Sequence, residues 1–371
     1  MHKRAPEPVD AAYVASLVAL GHRHGLDQVG IAPATVMDRA RHALVTRKAA
    51  GLHDTMAFTY RNPDRSTDHS RAVAGAQAVL VGARSYAMEP PPRPEGPFGS
   101  VARYAWIDHY KPLRDALRVL VLRLRADGYR AVAFADDNSM VDREAAHLAG
   151  IGWFGKNANV LVPGAGSFFV LGSVVTTAPL PPAEQPMADG CGSCRRCLDG
   201  CPTAAIVAPG VVDAGRCLAW LLQRPGVFPR EYRVALGDRV YGCDECQTVC
   251  PPTIRFERTA ARPVETSAKA WVSLVAMLRA SDDQLLADFG RWYLADRNPV
   301  WLRRNALVAL GNSGAGTDPD VVAAVRDYVA HADPILRVHA IWAAHALGLG
   351  HLVPLHDDHP VVADELAAIA R

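Results

Sequence analysis

Cys191-Gly192-Ser193-Cys194-Arg195-Arg196-Cys197-Leu198-Asp199-Gly200-Cys201-Pro202 spaces four cysteines as C-x2-C-x2-C-x3-C and follows the last with proline. This is the run that bacterial ferredoxins use to hold 4Fe–4S clusters. Cys243, Cys246 and Cys250 repeat the end of the pattern, again followed by a proline, Pro251, and Cys217 supplies an eighth thiol. Three closely spaced cysteines wrap a tight loop around one face of a cubane, with backbone N–H groups aimed at its sulfur atoms. The fourth is expected on the helix that follows, facing away, where it reaches a second cluster. By that logic Cys191, Cys194, Cys197 and Cys250 hold one cluster, and Cys201, Cys217, Cys243 and Cys246 hold the other. Structural zinc is the competing reading of C-x2-C pairs. Zinc sites use separated pairs, however, and need neither a third cysteine at x2 nor the proline. Two adjacent clusters make an electron wire, and the motif alone does not name the acceptor.

Working outward, the eight cysteines all fall between residues 191 and 250 of a 371-residue chain. The clustering divides the chain into three expected domains, residues 1–180, 181–264 and 265–371. No run of about 18 apolar residues occurs, so no membrane span is expected. Met1 to Asp10 is charged and proline-bearing, without the apolar core of a secretory signal or a twin-arginine address. A cytoplasmic protein is expected, where thiols stay reduced and clustered cysteines point to metal rather than to disulfides. The formal net charge of +2 gives no argument for a nucleic-acid partner. The basic side chains are mostly arginine, which suits bidentate phosphate contacts, although a high-GC genome produces the same bias.

In the first region Ala11 to His24 is apolar at helical spacing and Val29 to Ala32 reads as a strand. Ala78 to Gly82, Arg130 to Phe134 and Ser167 to Thr176 read as further strands, and Pro112 to Ala126 as an amphipathic helix. Helices alternating with strands predict an α/β or α+β sandwich. Glu89 to Gly99, rich in proline and glycine, reads as a loop. The last region is helical, with a weak repeat. Asn298-Pro299 leads through Arg303 to Gly311, and Asp333-Pro334 leads through Arg337 to Gly348. In each copy proline opens a helix, arginine lies a turn in, and glycine closes it. A helix over Asp320 to Val329 lies between them. The pattern resembles HEAT-type helical pairs; a small helical bundle fits the periodicity equally.

Between these regions a strand ending at Phe134-Ala135 runs into Asp136-Asp137-Asn138-Ser139-Met140-Val141-Asp142-Arg143. Ala149-Gly150-Ile151-Gly152-Trp153-Phe154-Gly155-Lys156-Asn157 follows. The glycines allow close approach to something flat or bulky, Trp153 and Phe154 offer apolar faces, and Lys156 offers a cation. A carboxylate at a strand end is also an ordinary helix cap or solvated turn. Neither a Walker loop nor a dinucleotide fingerprint is present.

Over almost its whole length the chain resembles the cobalamin-dependent epoxyqueuosine reductases. The resemblance is carried by Leu26 to Ala32, Arg103-Tyr104-Ala105-Trp106 before Asp108-His109-Tyr110, and Asp136 to Arg143 with Ala149 to Asn157. It continues in Gly166-Ser167-Phe168-Phe169 with Leu171-Gly172, and in Tyr241 to Gln247 ending at Cys250-Pro251. It implies a cobalamin-binding α/β domain, a ferredoxin-like two-cluster domain and C-terminal HEAT-like helices, in that order. The implied activity is reduction of epoxyqueuosine to queuosine at the tRNA wobble base. That reaction needs a strong nucleophile, which cob(I)alamin provides, and a low-potential donor, which a 4Fe–4S cluster can be.

The family's proton donor lies in a D-x-x-P stretch, six residues before an acidic–arginine pair; counting back from Asp142-Arg143 implies Asp136. A general acid must keep its proton near neutral pH, so a raised pKa is expected. The resemblance also implies contacts to base-off cobalamin from Met56, Arg61, Tyr104, Asp108, His109, Asp136, Gly152, Trp153, Gly155, Lys156, Asn157 and Ser167. Two positions depart from the family. The proline of D-x-x-P is Ser139, with Asp137 adding a second carboxylate, and the family's D-Y-H order reads Asp108-His109-Tyr110.

The implied partners are the tRNA anticodon region and a low-potential donor of flavodoxin or ferredoxin type, with no membrane and a monomeric chain. Arg303, Arg304 and Arg337 are candidate phosphate contacts, or pair with carboxylates on the helix surface. Reductive dehalogenases share the corrinoid and two-cluster plan, though they typically carry the twin-arginine signal. A plain two-cluster electron carrier would not need the long domain ahead of the cysteines. An altered relative that binds RNA or corrinoid without reducing the base is the third alternative.

Overall fold

Four strands, Gln28–Pro33, Ala78–Ser85, Phe169–Thr176 and Ala131–Phe134, pair in that order as an antiparallel sheet. The computed structural model describes residues 7–370; Met1 to Pro6, which open the charged N-terminal stretch, lie outside the described residues. Alternation along the strands gives the sheet two apolar faces. Val79, Val81, Ala83 and Val175 pack with Ala145, Ala146 and Ile151 from and beyond the helix Asp142–Leu148. On the other face Gly82 and Gly172 are cross-strand partners. A Cβ on either would press into leucines of the other layer, at 2.8 Å from Leu26 Cδ1 and 2.6 Å from Leu117 Cδ1. The missing side chains let the helix Tyr110–Ala126 lie close to the sheet. That helix buries Leu113, Ala116, Leu117, Leu120, Val121 and Leu124, the spacing of one helical stripe. Replacing Leu117 with alanine would cost about 2–5 kcal/mol. The helix Ala11–Arg23 starts where Asp10 accepts the Tyr13 N–H at 2.7 Å, a side-chain N-cap.

Compactness and sequence order divide the chain differently. One unit joins the residues up to Glu89 with Asp108–Asp213 and Glu245–Pro263; the other joins Pro90–Ile107, Ala214–Asp244 and Val264 onward. The sheet above belongs to the first. The second has a three-stranded sheet ordered Arg239–Tyr241, Phe98–Val101, Trp271–Ser273. Phe98 and Gly99, expected in a loop, therefore begin its central strand. Its helices include Asp282–Phe289, Val300–Gly311, Pro319–Val329, Pro334–Ala346 and Pro360–Ile369. The helix Asp282–Phe289 opens with a capping box of Ser281 and Gln284. Gly311 lets two helices meet, since a Cβ there would lie 2.5 Å from the Trp342 ring. Among the described residues no helix is long and apolar enough to cross a membrane.

Candidate active site

Asp136 follows the edge strand Ala131–Phe134 by two residues and holds left-handed backbone, φ 56°. Aspartate tolerates that region better than most residues, but a non-glycine residue there is a constrained one. Crowding by protein atoms raises the Asp136 carboxyl above its ordinary pKa; Arg114 pulls it back and Asp137 pushes it further up. The residue still reaches solvent, so the shelter is one-sided. Asp142 opens the next helix and lies deeper. Burial raises its carboxyl well above the usual value, Asp136 adds to this, and Arg143 opposes it. Tyr110 faces the same group: burial raises its phenol, Asp136 and Asp142 add to the shift, and Arg143 and Arg114 oppose it. Two carboxyls and a phenol thus share one charged neighbourhood, an arrangement that favours the protonated forms of both carboxyls. Tyr110 and Arg114 carried no distinct sequence signal; only the altered order Asp108-His109-Tyr110 pointed at the former.

The glycine-rich stretch becomes a hairpin, Trp153–Phe154 against Val160–Leu161. Its glycines serve the hairpin itself. A Cβ at Gly152 would meet the Leu161 carbonyl oxygen at 2.3 Å, and one at Gly155 the Leu161 Cδ1 at 2.1 Å. From its connecting loop Lys156 Nζ donates to the carbonyls of Gly192, 2.6 Å, and Cys194, 2.9 Å. Asn157 Nδ2 donates to the Cys246 carbonyl at 3.0 Å. Both polar groups, expected at the corrin or substrate, are engaged by the cysteine loops. Cys191, Cys194, Cys197 and Cys250 line one cavity with Lys156, Asn157 and Leu161.

Ser167 is likewise engaged. Its Oγ donates to Gln247 Oε1 at 2.9 Å, beside the Tyr86 hydroxyl at 3.2 Å, and its N–H reaches Thr253 Oγ1 at 3.4 Å. These bonds key the segment carrying Cys246 and Cys250 to the sheet. Thr253 carries no sequence signal beyond the neighbouring cysteines, and Gln247, which ends the Tyr241 to Gln247 stretch of the resemblance, is given no role by it. His109 is buried against Tyr86, ring centroids 5.6 Å apart. Asp108 accepts the Lys111 N–H at 2.9 Å and lies 3.5 Å from Arg114, serving the start of a helix. Tyr104, in the other compact unit, accepts from Gln223 Nε2 at 3.3 Å. Met56 is half-buried and Arg61 exposed. Trp153 is buried, and its indole N–H has no hydrogen-bond partner among the described residues.

All eight cysteines are free thiols. Cys197 lies in the helical turn Arg196–Asp199, and Cys201 follows that turn rather than sitting on a further helix. Its sulfur accepts the Ala205 N–H at 3.2 Å. Cys246 lies within Glu245–Thr248, while Cys217 and Cys250 stand at helix N-caps. Burial raises the Cys197 and Cys250 thiols, and the neighbouring thiols, Cys191 beside both, add to the shift. Buried thiols raised in this way, as Cys197 and Cys250 are, are what an electropositive iron–sulfur core relieves. Cys191, Cys194, Cys197 and Cys250 stand around one cavity, and four thiols in the ferredoxin spacing fit a cluster.

The arginines near the starts of the helices Val300–Gly311 and Pro334–Ala346 are also engaged. Arg304 is fully buried and donates to the carbonyls of Leu221, Leu222, Arg224 and Gly226 and to Asn305 Oδ1. This excludes it as a phosphate contact. Arg303 pairs with Asp282, and Arg337 grips Asp357 with two bonds of 2.8 and 3.1 Å.

A mixed α/β chain with a ferredoxin-type double-cluster run defines an iron–sulfur oxidoreductase. Residues 190–253 match the 4Fe-4S double cluster binding domain family. An epoxyqueuosine reductase of Xanthomonas campestris pv. campestris is 33% identical over 362 residues, covering 93% of this chain and 98% of that protein. A crystal structure of epoxyqueuosine reductase with an epoxyqueuosine-modified tRNA-Tyr stem loop superposes with TM-score 0.86 at 26% identity, covering 97% of this chain and 99% of that one. The Bacillus subtilis epoxyqueuosine reductase, seen with its catalytic aspartate loop swung out of the active site, gives TM-score 0.85 at 26% identity over 97% of this chain and 98% of that one. The chain belongs to the epoxyqueuosine reductase family.

Proposed function

We propose that this chain reduces epoxyqueuosine to queuosine at the wobble base of tRNA, with Asp136 giving a proton to the departing oxygen. The observation that carries the reading is the raised carboxyl of Asp136, held in constrained backbone in the unit that also presents four cluster-ready thiols. The conversion takes an epoxide oxygen from a cyclopentane ring. Two electrons and two protons enter, an alkene remains, and water leaves. Bound cobalamin supplies the nucleophile for ring opening, and the two 4Fe–4S clusters supply it with low-potential electrons.

The chain's own residues hold these groups and move the proton. Cys191, Cys194, Cys197 and Cys250 ligate one cluster. Cys201, Cys217, Cys243 and Cys246 are assigned to the second by the ferredoxin spacing. Lys156, Asn157 and Ser167 brace the cysteine-bearing segments. A corrin ring is fringed with amides and needs donors. The unpartnered Trp153 indole and the exposed Arg61 and Met56 segment supply a donor, a cation and an apolar contact of the right kind. Protein crowding, with Asp137 adding to it and Arg114 opposing, favours the protonated form of Asp136, the form that gives its proton to a developing alkoxide.

On this reading residues 1–180 bind cobalamin and the modified base, residues 181–264 carry the clusters, and residues 265–371 form HEAT-like helices beside the tRNA. The chain works as a cytoplasmic monomer fed by a flavodoxin- or ferredoxin-type donor. We take the Asp136 turn as the counterpart of the catalytic aspartate loop of the Bacillus subtilis relative.

Anaerobic reconstitution with iron, sulfide and cobalamin, followed by nucleoside mass spectrometry of tRNA carrying epoxyqueuosine, tests the proposal. Conversion to queuosine is expected. Failure to bind a corrin would favour the electron carrier, and a bound corrin without conversion would favour an altered relative.

A further inference from the structure

The Asp136 turn lies between the edge strand and the helix Asp142–Leu148, so neither element's regular hydrogen bonding fixes it. Other bonds do. Asp137 Oδ1 accepts the Ser139 N–H at 2.7 Å, and the Asp137 carbonyl accepts the Met140 N–H at 3.3 Å. Ser66 Oγ donates to the Asn138 carbonyl at 2.6 Å, and Arg65 Nη2 donates to Ser139 Oγ at 2.9 Å. Ser66 and Ser139 are both buried. The short helical turn Pro63–Ser66 that supplies these donors is itself held by Asn62, which accepts the Arg65 N–H at 3.1 Å. Three consecutive residues after Asp136 are thus tied down from two directions.

We infer that Arg65, Asp137 and Ser139 are positioning residues, forming a hydrogen-bonded clasp that fixes the backbone of Asp136 and aims its carboxyl. The inference rests on the reading of Asp136 as the proton donor. It joins two sequence departures into one device. A proline at position 139 has no N–H to give Asp137, and Asp137 has its partner only because residue 139 is not proline. Rigidity that a proline ring would supply covalently comes here from a carboxylate, a serine and an arginine. Asp137 has a second effect through its charge, which disfavours ionisation of Asp136; the other charged or titratable groups facing Asp136 are Arg114 and Tyr110 on one helix and Asp142 on the next.

The test uses the reconstituted holoenzyme, with kcat, KM, pH–rate profile, iron and corrin content measured for each variant. Asp137→Ala, Arg65→Met and Ser139→Pro should lower kcat by about 10- to 100-fold, the scale of a misplaced catalytic group. KM and cofactor content should stay within about twofold. Arg65→Lys, which keeps a donor, should recover most of the rate. Asp137→Asn keeps the acceptor oxygen and drops the charge, so its acidic plateau should exceed that of Asp137→Ala. Its alkaline limb should move to lower pH, because a general acid stops working as pH rises through its pKa, and that pKa falls without the Asp137 charge. A purely structural role would leave this limb where it is. Should the larger substitutions prevent folding, the limb of Asp137→Asn decides alone. Clasp variants that match the wild-type rate while Asp136→Asn is inactive would overturn the clasp and leave the proton donor standing. A fully active Asp136→Asn would remove both.

Discussion

The Asp136 turn and the Lys156 hairpin belong to one stretch of chain, and both carry residues expected at the corrin. They have opposite fates. The turn is anchored through Asp137, Asn138 and Ser139, which leaves the Asp136 carboxyl at the surface with a raised pKa. In the hairpin the polar groups themselves are tied, Lys156 to the loop holding Cys191 and Cys194, and Asn157 to Cys246. A polar residue inside a motif marks a position under chemical demand without naming its partner. Under the proposed function one position serves the reacting atoms, while the other braces the cysteine loops.

The largest expected effect lies on the wire. Cys197→Ser should lower iron after anaerobic reconstitution by about half, one cluster of two, and abolish turnover. Unchanged iron would break the ligand assignment. Lys156→Met comes next. A charge-assisted bond of this kind contributes about 1.5–3 kcal/mol. Partial exposure favours the lower end, so iron should be lost to a chelator roughly tenfold faster, with cobalamin binding kept. Loss of corrin binding with unchanged iron release would reverse the comparison. Asp142→Asn should give the smallest effect. The Asp142 carboxyl has a raised folded pKa, so the stability it contributes is full below the unfolded value of about 4 and is lost as pH rises through the folded one. The asparagine variant, always neutral, should melt above wild type, by a margin that opens as pH rises from about 4 and then levels off. Thermal melts across that range check the sign.

Spacing made the eight cysteines legible, because a cubane constrains ligands that are close in sequence. Alternation and helical stripes made the four-stranded sheet and the helix Tyr110–Ala126 legible for the same reason: their signals are local. Contacts across the chain were not. Arg303 and Arg304 are adjacent and alike in sequence, yet one pairs with Asp282 while the other is buried among the carbonyls of Leu221, Leu222, Arg224 and Gly226. Gly152 and Gly155 read as room for a cofactor, and their neighbour is Leu161 across the hairpin. Ser139 and Asp137 looked like two departures from the family, and the turn shows them hydrogen-bonded to each other.

Single-turnover conversion of epoxyqueuosine in a tRNA stem loop, by wild type and Asp136→Asn reconstituted together, tests the proton donor most directly. With matching iron and corrin content, the wild type should form queuosine while the variant is slowed by about 100-fold or more. Equal rates in the two samples would contradict the account.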